Sequence, residues 1–236
     1  WKEAGGLLLA LLSGAREYTE SKISNAFRLS GLSHILALSG MHLSMFSSIA
    51  VFCGDKIGRK RLTYLIRIIV LILFVWFAGF SPSLMRAFIC SVLSLLAAIC
   101  GTEKPDMIMI LCFSFLLQSF ISPDDIHNVG FMLSYGALAG ILLTNQLFHK
   151  IYSKIFPSFI SSSFASSTGA QIITAPIGLK IFGTFSPIGI IATTVISPMI
   201  TVFIYSGLIL IILSLIIPNF YKFSGFFMNF LYTVIK

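Results

Sequence analysis

Acidic side chains are scarce in this chain: 8 Asp and Glu stand against 16 Lys and Arg in 236 residues, and none of the eight falls well inside a hydrophobic run. Proton-driven pumps and most acid/base enzymes need a carboxylate near the bilayer midplane, so its absence argues for a conduit or a scaffold. Charge of either sign is sparse as well. At 10% charged residues, against roughly a quarter in soluble domains, the soluble globular class is excluded. The cysteines, Cys53, Cys90, Cys100 and Cys112, form no CxxC or paired metal-ligand spacing. Each sits in or beside an apolar run, where cysteine behaves as a small hydrophobe. A disulfide framework and a thiolate metal site are thereby excluded, and no cofactor motif stands elsewhere. An initiating Met and a basic, cleavable leader are also missing at Trp1, so the chain reads as an excerpt from a longer protein.

What the chain has is apolar length. Hydrophobic residues make up 57% of it and the mean hydropathy is +0.97. With spans of roughly 20 residues each, it holds about seven or eight hydrophobic segments and leaves no room for a sizeable soluble domain. The expected fold is all-α: a polytopic integral membrane helical bundle with broken helices and an amino-terminal amphipathic helix. Residues 1–30 divide into a short apolar stub and an interfacial amphipathic helix that mixes Arg16, Glu17, Glu20, Lys22 and Arg28 with Tyr18, Ile23 and Phe27. Residues 31–236 form the membrane-spanning domain. Its expected segments are 31–53, 62–80, 84–101, 106–121, 127–148, 159–182, a stretch from 185 to 217 divided near Pro198, and 220–235.

The connections alternate in charge. Lys56, Arg59, Lys60 and Arg61 fill the first, none falls in the turn at 81–83, Lys104 marks the third, Asp124 and Asp125 the fourth, and Lys150 and Lys154 the fifth. The positive-inside rule then places the odd-numbered connections in the cytoplasm. Arg67 lies little more than a turn from the basic connection, and snorkelling to the cytoplasmic headgroups is its expected role. The apolar residues around it contribute about −4 to −8 kcal/mol to insertion against roughly +3 for a central Arg, so the span survives. Arg86 follows Pro82 on the outer side, where topology asks for no cation. A functional role and a structural one weigh equally there.

The most unusual stretch is GLSHILALSGMH at 31–42, with two His, two Ser and two Gly where a lipid-facing helix would carry Leu. On one straight helix His34 and His42 would stand about 12 Å apart and about 80° around the axis, so they could not chelate one metal. Gly40 is either a helix break lining a cavity or a small residue for close packing. A hydrolase would use Ser39 as nucleophile and a His as base, but nucleophile, base and orienting group normally come from separately held positions. GALAG at 136–140 pairs Gly136 with Gly140 on one helix face for close contact with a neighbour. Gln171, Thr174, Pro176 and Lys180 make a second polar segment, interrupted at Pro176. It either lines a passage or leaves Lys180 snorkelling.

Taken in order, GLSHILALSGMH at 31–42, FSPSLMRA at 80–87, VGFMLSYGALAGI at 129–141, and Gln171 to Pro176 followed by FGTFSP at 182–187 resemble the competence domain of the ComEC family. The resemblance covers nearly the whole chain. It implies a multi-pass protein of the bacterial inner membrane, a channel for uptake of single-stranded DNA in natural transformation. It also implies flanking OB-like and metallo-β-lactamase-like domains in the same polypeptide. Single-stranded DNA, the lipid bilayer, an extracytoplasmic DNA receptor and a cytoplasmic motor are the implied partners. This chain has no HxHxDH motif, so it is not expected to be a nuclease or another enzyme, and neither cofactor nor metal is expected. A phosphate chain crossing a bilayer needs cations or hydroxyls in place of water and no fixed negative charge. On that basis Arg86 and Lys180 attract the strand at the outer mouth, and His34, Ser39, His42 and Gln171 line the constriction. The competing readings are a secondary transporter of a small anionic solute with a midplane site and an intramembrane serine hydrolase.

Overall fold

The computed structural model describes residues 1–15, 17–36, 39–55, 58, 60–102, 104–183, 186–217 and 220–235. Arg16, Lys56 and Arg59 lie outside the described residues, as do the side chains of Cys53 and Lys222. The described residues form eleven α-helices and no strand: α1 (Lys2–Ser13), α2 (Ser21–Leu29), α3 (Ser33–Leu36), α4 (Gly40–Asp55), α5 (Lys60–Ala78), α6 (Pro82–Ile99), α7 (Met107–Ile121), α8 (Val129–Tyr152), α9 (Ser158–Phe182), α10 (Ile188–Ile216) and α11 (Tyr221–Ile235). A 3-10 turn, Pro123–His127, joins α7 to α8.

Local chemistry explains where the helices begin. Ser81 Oγ accepts from Leu84 N at 3.4 Å, with Pro82 in the first turn, where its missing N–H goes unneeded. Asp106 and Asn128 start α7 and α8 in the same way, accepting from Ile108 N at 2.9 Å and Gly130 N at 2.8 Å. Among the described residues, α5, α6, α8 and α10 are long and apolar enough to cross a membrane, and 3–13, 40–52, 107–121 and 223–235 are shorter apolar helices. Large apolar side chains such as Trp76, Phe77, Phe120 and Leu215 point outward at 66–86% exposure, as they do when the surrounding solvent is lipid. The chain is an all-α polytopic membrane bundle.

Two expected outlines change. The 31–53 segment is not one helix: α3 stops at Leu36 and α4 starts at Gly40. Conversely, Pro176 and Pro198 sit inside α9 and α10 without dividing either element. Each proline removes a single amide donor. In apolar surroundings the remaining backbone groups have no water to turn to, so the helix continues.

The helices pack into two compact units, residues 1–38 with 186–236 and residues 39–185. In the first, α1 packs on α10 and α11, and Ala4, Leu7, Leu8, Ala10 and Leu11 are all buried. Gly207 of α10 gives Leu8 its space, since a β-carbon there would lie 2.7 Å from Leu8 Cδ2. Tyr232 donates to Glu20 Oε2 at 2.8 Å, and Trp1 Nε1 to Ser224 Oγ at 3.1 Å. The second unit is built of α4 to α9. Phe46 stacks on Phe74 between α4 and α5 at 4.3 Å. Phe131 and Tyr135 of α8 pack with Cys90, Ile110 and Leu111 of α6 and α7.

Candidate functional site

A cluster of polar side chains lies at one end of the second unit, where α6 and α8 begin and α7 ends. Gln118 of α7, 1% exposed, donates from Nε2 to the Pro82 carbonyl at 3.1 Å and to Asp125 Oδ2 at 3.0 Å. Its Oε1 accepts from the Tyr135 hydroxyl at 3.1 Å. One turn deeper, Cys90 Sγ donates to Ser114 Oγ at 3.1 Å, and Ser114 Oγ donates in turn to the Leu111 carbonyl at 2.8 Å. Arg86 projects from the first turns of α6 into this neighbourhood, close to the Tyr135 and Cys90 side chains. Its Nε is buried with no hydrogen-bond partner.

Gly40, the first residue of α4, packs directly against α6. A β-carbon there would stand 3.3 Å from Ala87 Cβ, a tight approach, and at an ordinary contact distance of 3.5 Å from Arg86 Nη2. Ser39 caps α4, since its carbonyl accepts from His42 N at 3.1 Å and Leu43 N at 3.4 Å. His42 is 1% exposed and reaches back, its Nδ1 accepting from the Ser39 amide at 3.3 Å. This is the reciprocal half of a capping box, with imidazole where Glu or Gln is usual. For the amide to donate, Nδ1 must be bare, which puts the proton of the neutral ring on Nε2. That Nε2 is buried and unpartnered. The 3.3 Å approach of Ser39 Oγ to the same Nδ1 therefore reads as a helix cap, because no carboxylate orients the ring from its other nitrogen.

The remaining candidates lie elsewhere. His42 follows Gly40 by about 200° around α4 and does not share its face. His34 belongs to the first unit, where its exposed ring contacts the Gly31 carbonyl at 3.1 Å. Gln171 is half-buried in α9 with its Oε1 buried and unpartnered, Pro176 is exposed, and Lys180 is exposed in the last turn, where a cation favours the helix dipole. Arg67, expected at the headgroups, donates from Nε to Ser47 Oγ at 3.0 Å across the α4–α5 contact. Gly140 lies against Gly169 of α9, where a β-carbon would collide with the Gly169 carbonyl oxygen, and Gly136 faces Ile173 at 3.1 Å. Among the described residues no group of three His, Cys, Asp or Glu is placed to hold a metal.

Sequence reasoning missed Gln118 and Asp125. The available signal was Gln118 itself, a lone amide in the apolar run 107–121, since a polar group there must find a partner. Asp125 folds back from a connection, which no run of residues foretells.

The competence protein family model matches residues 11–236. The chain is similar to ComE operon protein 3 of Bacillus subtilis (strain 168), 26% identical over 207 residues that cover 87% of this chain and 26% of that protein. It is also similar to Recombination protein 2 of Haemophilus influenzae, 26% identical over 209 residues that cover 82% of this chain and 26% of that protein. It thus spans about a quarter of the length of the curated relatives it matches. No solved structure matches. With a single family matched along almost all of its length, the chain belongs to the competence protein family.

Proposed function

We propose that the chain is the membrane path by which single-stranded DNA crosses the bacterial inner membrane during transformation. An extracytoplasmic receptor delivers the strand and a cytoplasmic motor draws it through. The chain supplies a passage and not the work or the hydrolysis. The observation that carries this reading is Arg86: a half-buried guanidinium at the non-basic end of a family-matched helical bundle, its Nε buried without a partner. A buried donor left unpaired is costly, and a phosphate oxygen is the acceptor it suits best. Lys180, exposed at the end of α9, is a second entry cation, and Ser39, His42 and Gln171 are polar lining.

The test is uptake of labelled DNA in cells with the protein at its normal level. Arg86→Ala lowers uptake by about ten- to a hundredfold, the effect of losing one charge-assisted contact of about 1.5–3 kcal/mol. Arg86→Lys retains an intermediate rate, because a point charge attracts phosphate without the planar fork. Undiminished uptake by Arg86→Ala would refute the entry role.

A further inference from the structure

One anion already sits on a donor in the Arg86 neighbourhood, and it belongs to the chain itself. The Gln118 amide nitrogen has two hydrogens. One goes to the Pro82 carbonyl at 3.1 Å and the other to Asp125 Oδ2 at 3.0 Å. In an α-helix the Pro82 carbonyl is also the acceptor of the Arg86 amide, so Gln118 Nε2 is fixed at the root of the Arg86 side chain. Arg86 and Asp125 both lie near the Tyr135 phenol. The carboxylate is nevertheless bonded to the amide, while Arg86 Nε stays buried with no partner. Asp125 is carried by the 3-10 turn Pro123–His127, which buries none of its residues. Of the five described side chains in that turn, Asp125 alone is hydrogen-bonded into the bundle.

We propose that Gln118 Nε2 and Arg86 form a seat for a phosphodiester anion, and that Asp125 holds the amide half of it until a strand phosphate takes its place. The inference rests on the function proposed above and adds Gln118 as a donor and Asp125 as a removable stand-in. Two physical arguments make the occupants alternate. A phosphate at Arg86 would stand beside a carboxylate, and like charges at close range disfavour each other. An Asp125 that simply swung away would leave a Gln118 N–H bare on a side chain only 1% exposed, and a buried donor without an acceptor is costly. Exchanging one anion for another avoids both penalties. A phosphate also has oxygens enough to take the orphan Arg86 Nε–H, in a charge-assisted bond that the stand-in does not make.

Binding of a fluorescent oligothymidylate without terminal phosphates, to the protein in phosphatidylcholine nanodiscs, tests this. Asp125→Asn keeps the shape of the side chain and removes its charge. The stand-in is then weaker, and the oligonucleotide binds about five- to tenfold tighter, the difference between a charged and a neutral acceptor on one donor. Asp124→Asn removes the same charge from the exposed neighbour and changes binding by about twofold or less at physiological salt, where exposed charges are screened. Equal tightening in the two variants, or none in Asp125→Asn, refutes the seat and leaves the DNA path intact. A wild-type protein that binds no oligonucleotide at any salt refutes the path, and the seat with it. A second measurement needs no variant to fold. A water-soluble carbodiimide with an added amine modifies Asp125 of the wild-type protein more slowly than Asp124, and the oligonucleotide brings Asp125 toward the Asp124 rate as the turn lets go. An Asp125 rate that stays the same or falls overturns the exchange. Equal acceleration by phosphatidylglycerol in the nanodisc, without oligonucleotide, would give the seat to a lipid headgroup and overturn the strand as its occupant.

Discussion

Gln118 holds the ends of three helices together with one side chain. Its amide donates to the first residue of α6 and to the carboxylate of the 3-10 turn, and its oxygen takes the proton of Tyr135 on α8. Because the Tyr135 proton is committed to Gln118, the phenol oxygen faces its remaining surroundings, Arg86 among them, as an acceptor. Removing the amide strands buried polar groups, each worth about 1–3 kcal/mol when left unsatisfied. Gln118→Leu therefore lowers the thermal midpoint of the purified protein in detergent. Adding Tyr135→Phe recovers part of the loss, since deleting both partners of a buried pair is gentler than deleting one. Additive losses in the double variant would show that the two side chains do not interact. Some of this was legible in the sequence: Arg86 stood out because topology gave it no reason to be there. The rest was not, because the value of Gln118 depends on Pro82, Asp125 and Tyr135, up to 36 residues away.

At the scale of the element, α8 and α9 show what glycine does where no large side chain fits. A β-carbon on Gly140 would run into the Gly169 carbonyl oxygen, and one on Gly169 would lie 2.6 Å from Thr144 Oγ1. Backbone approaching backbone without a side chain between is how helices gain packing contact when lipid offers no hydrophobic drive. The first obstacle is backbone and the second is the hydroxyl of a β-branched side chain already bonded to the Gly140 carbonyl at 2.7 Å, so the helices themselves must move apart. Gly140→Val is expected to destabilise the bundle by about 1–3 kcal/mol or more, the range for overpacking a tight contact. Gly136→Ala meets side chains alone, Ile173 Cγ2 at 3.1 Å and Ile177 Cδ1 at 3.6 Å, and a side-chain adjustment relieves the closer contact. A thermal midpoint equally low for both variants would refute the distinction. The GALAG spacing made one half of this contact readable, but Gly169 stands among Ser, Thr and Ala with no motif to mark it. Helix identity was legible because each apolar run has to keep its own backbone bonded in lipid. The prolines misled for the same reason, since a single missing donor does not end a helix that has nowhere else to bond.

On the scale of the whole molecule, the alternation of charged connections and the packing of the second unit bear on each other. The division into two units had no sequence signal, because α1 is joined to α10 and α11 by contacts between opposite ends of the chain. Sidedness, in contrast, is written in the loops. Gln118 ties the start of α6 to the turn after α7, so the connections 79–81 and 122–128 lie at one end of the unit. The opposite ends of α6 and α7, with Lys104 between them, lie at the other. The basic connections hold Lys60, Arg61, Lys104, Lys150 and Lys154, and the other end holds Asp124 and Asp125, so the positive-inside rule puts the Arg86 end outside. With the native cysteines replaced by serine, Asp124→Cys is expected to react with a membrane-impermeant maleimide in intact spheroplasts, and Lys104→Cys only after the membrane is opened. Cys90→Ser keeps a donor for Ser114, so the background preserves the one buried bond a cysteine makes among the described residues. The reverse labelling pattern would set Arg86 at the cytoplasmic face. A guanidinium there could take a strand only at its exit.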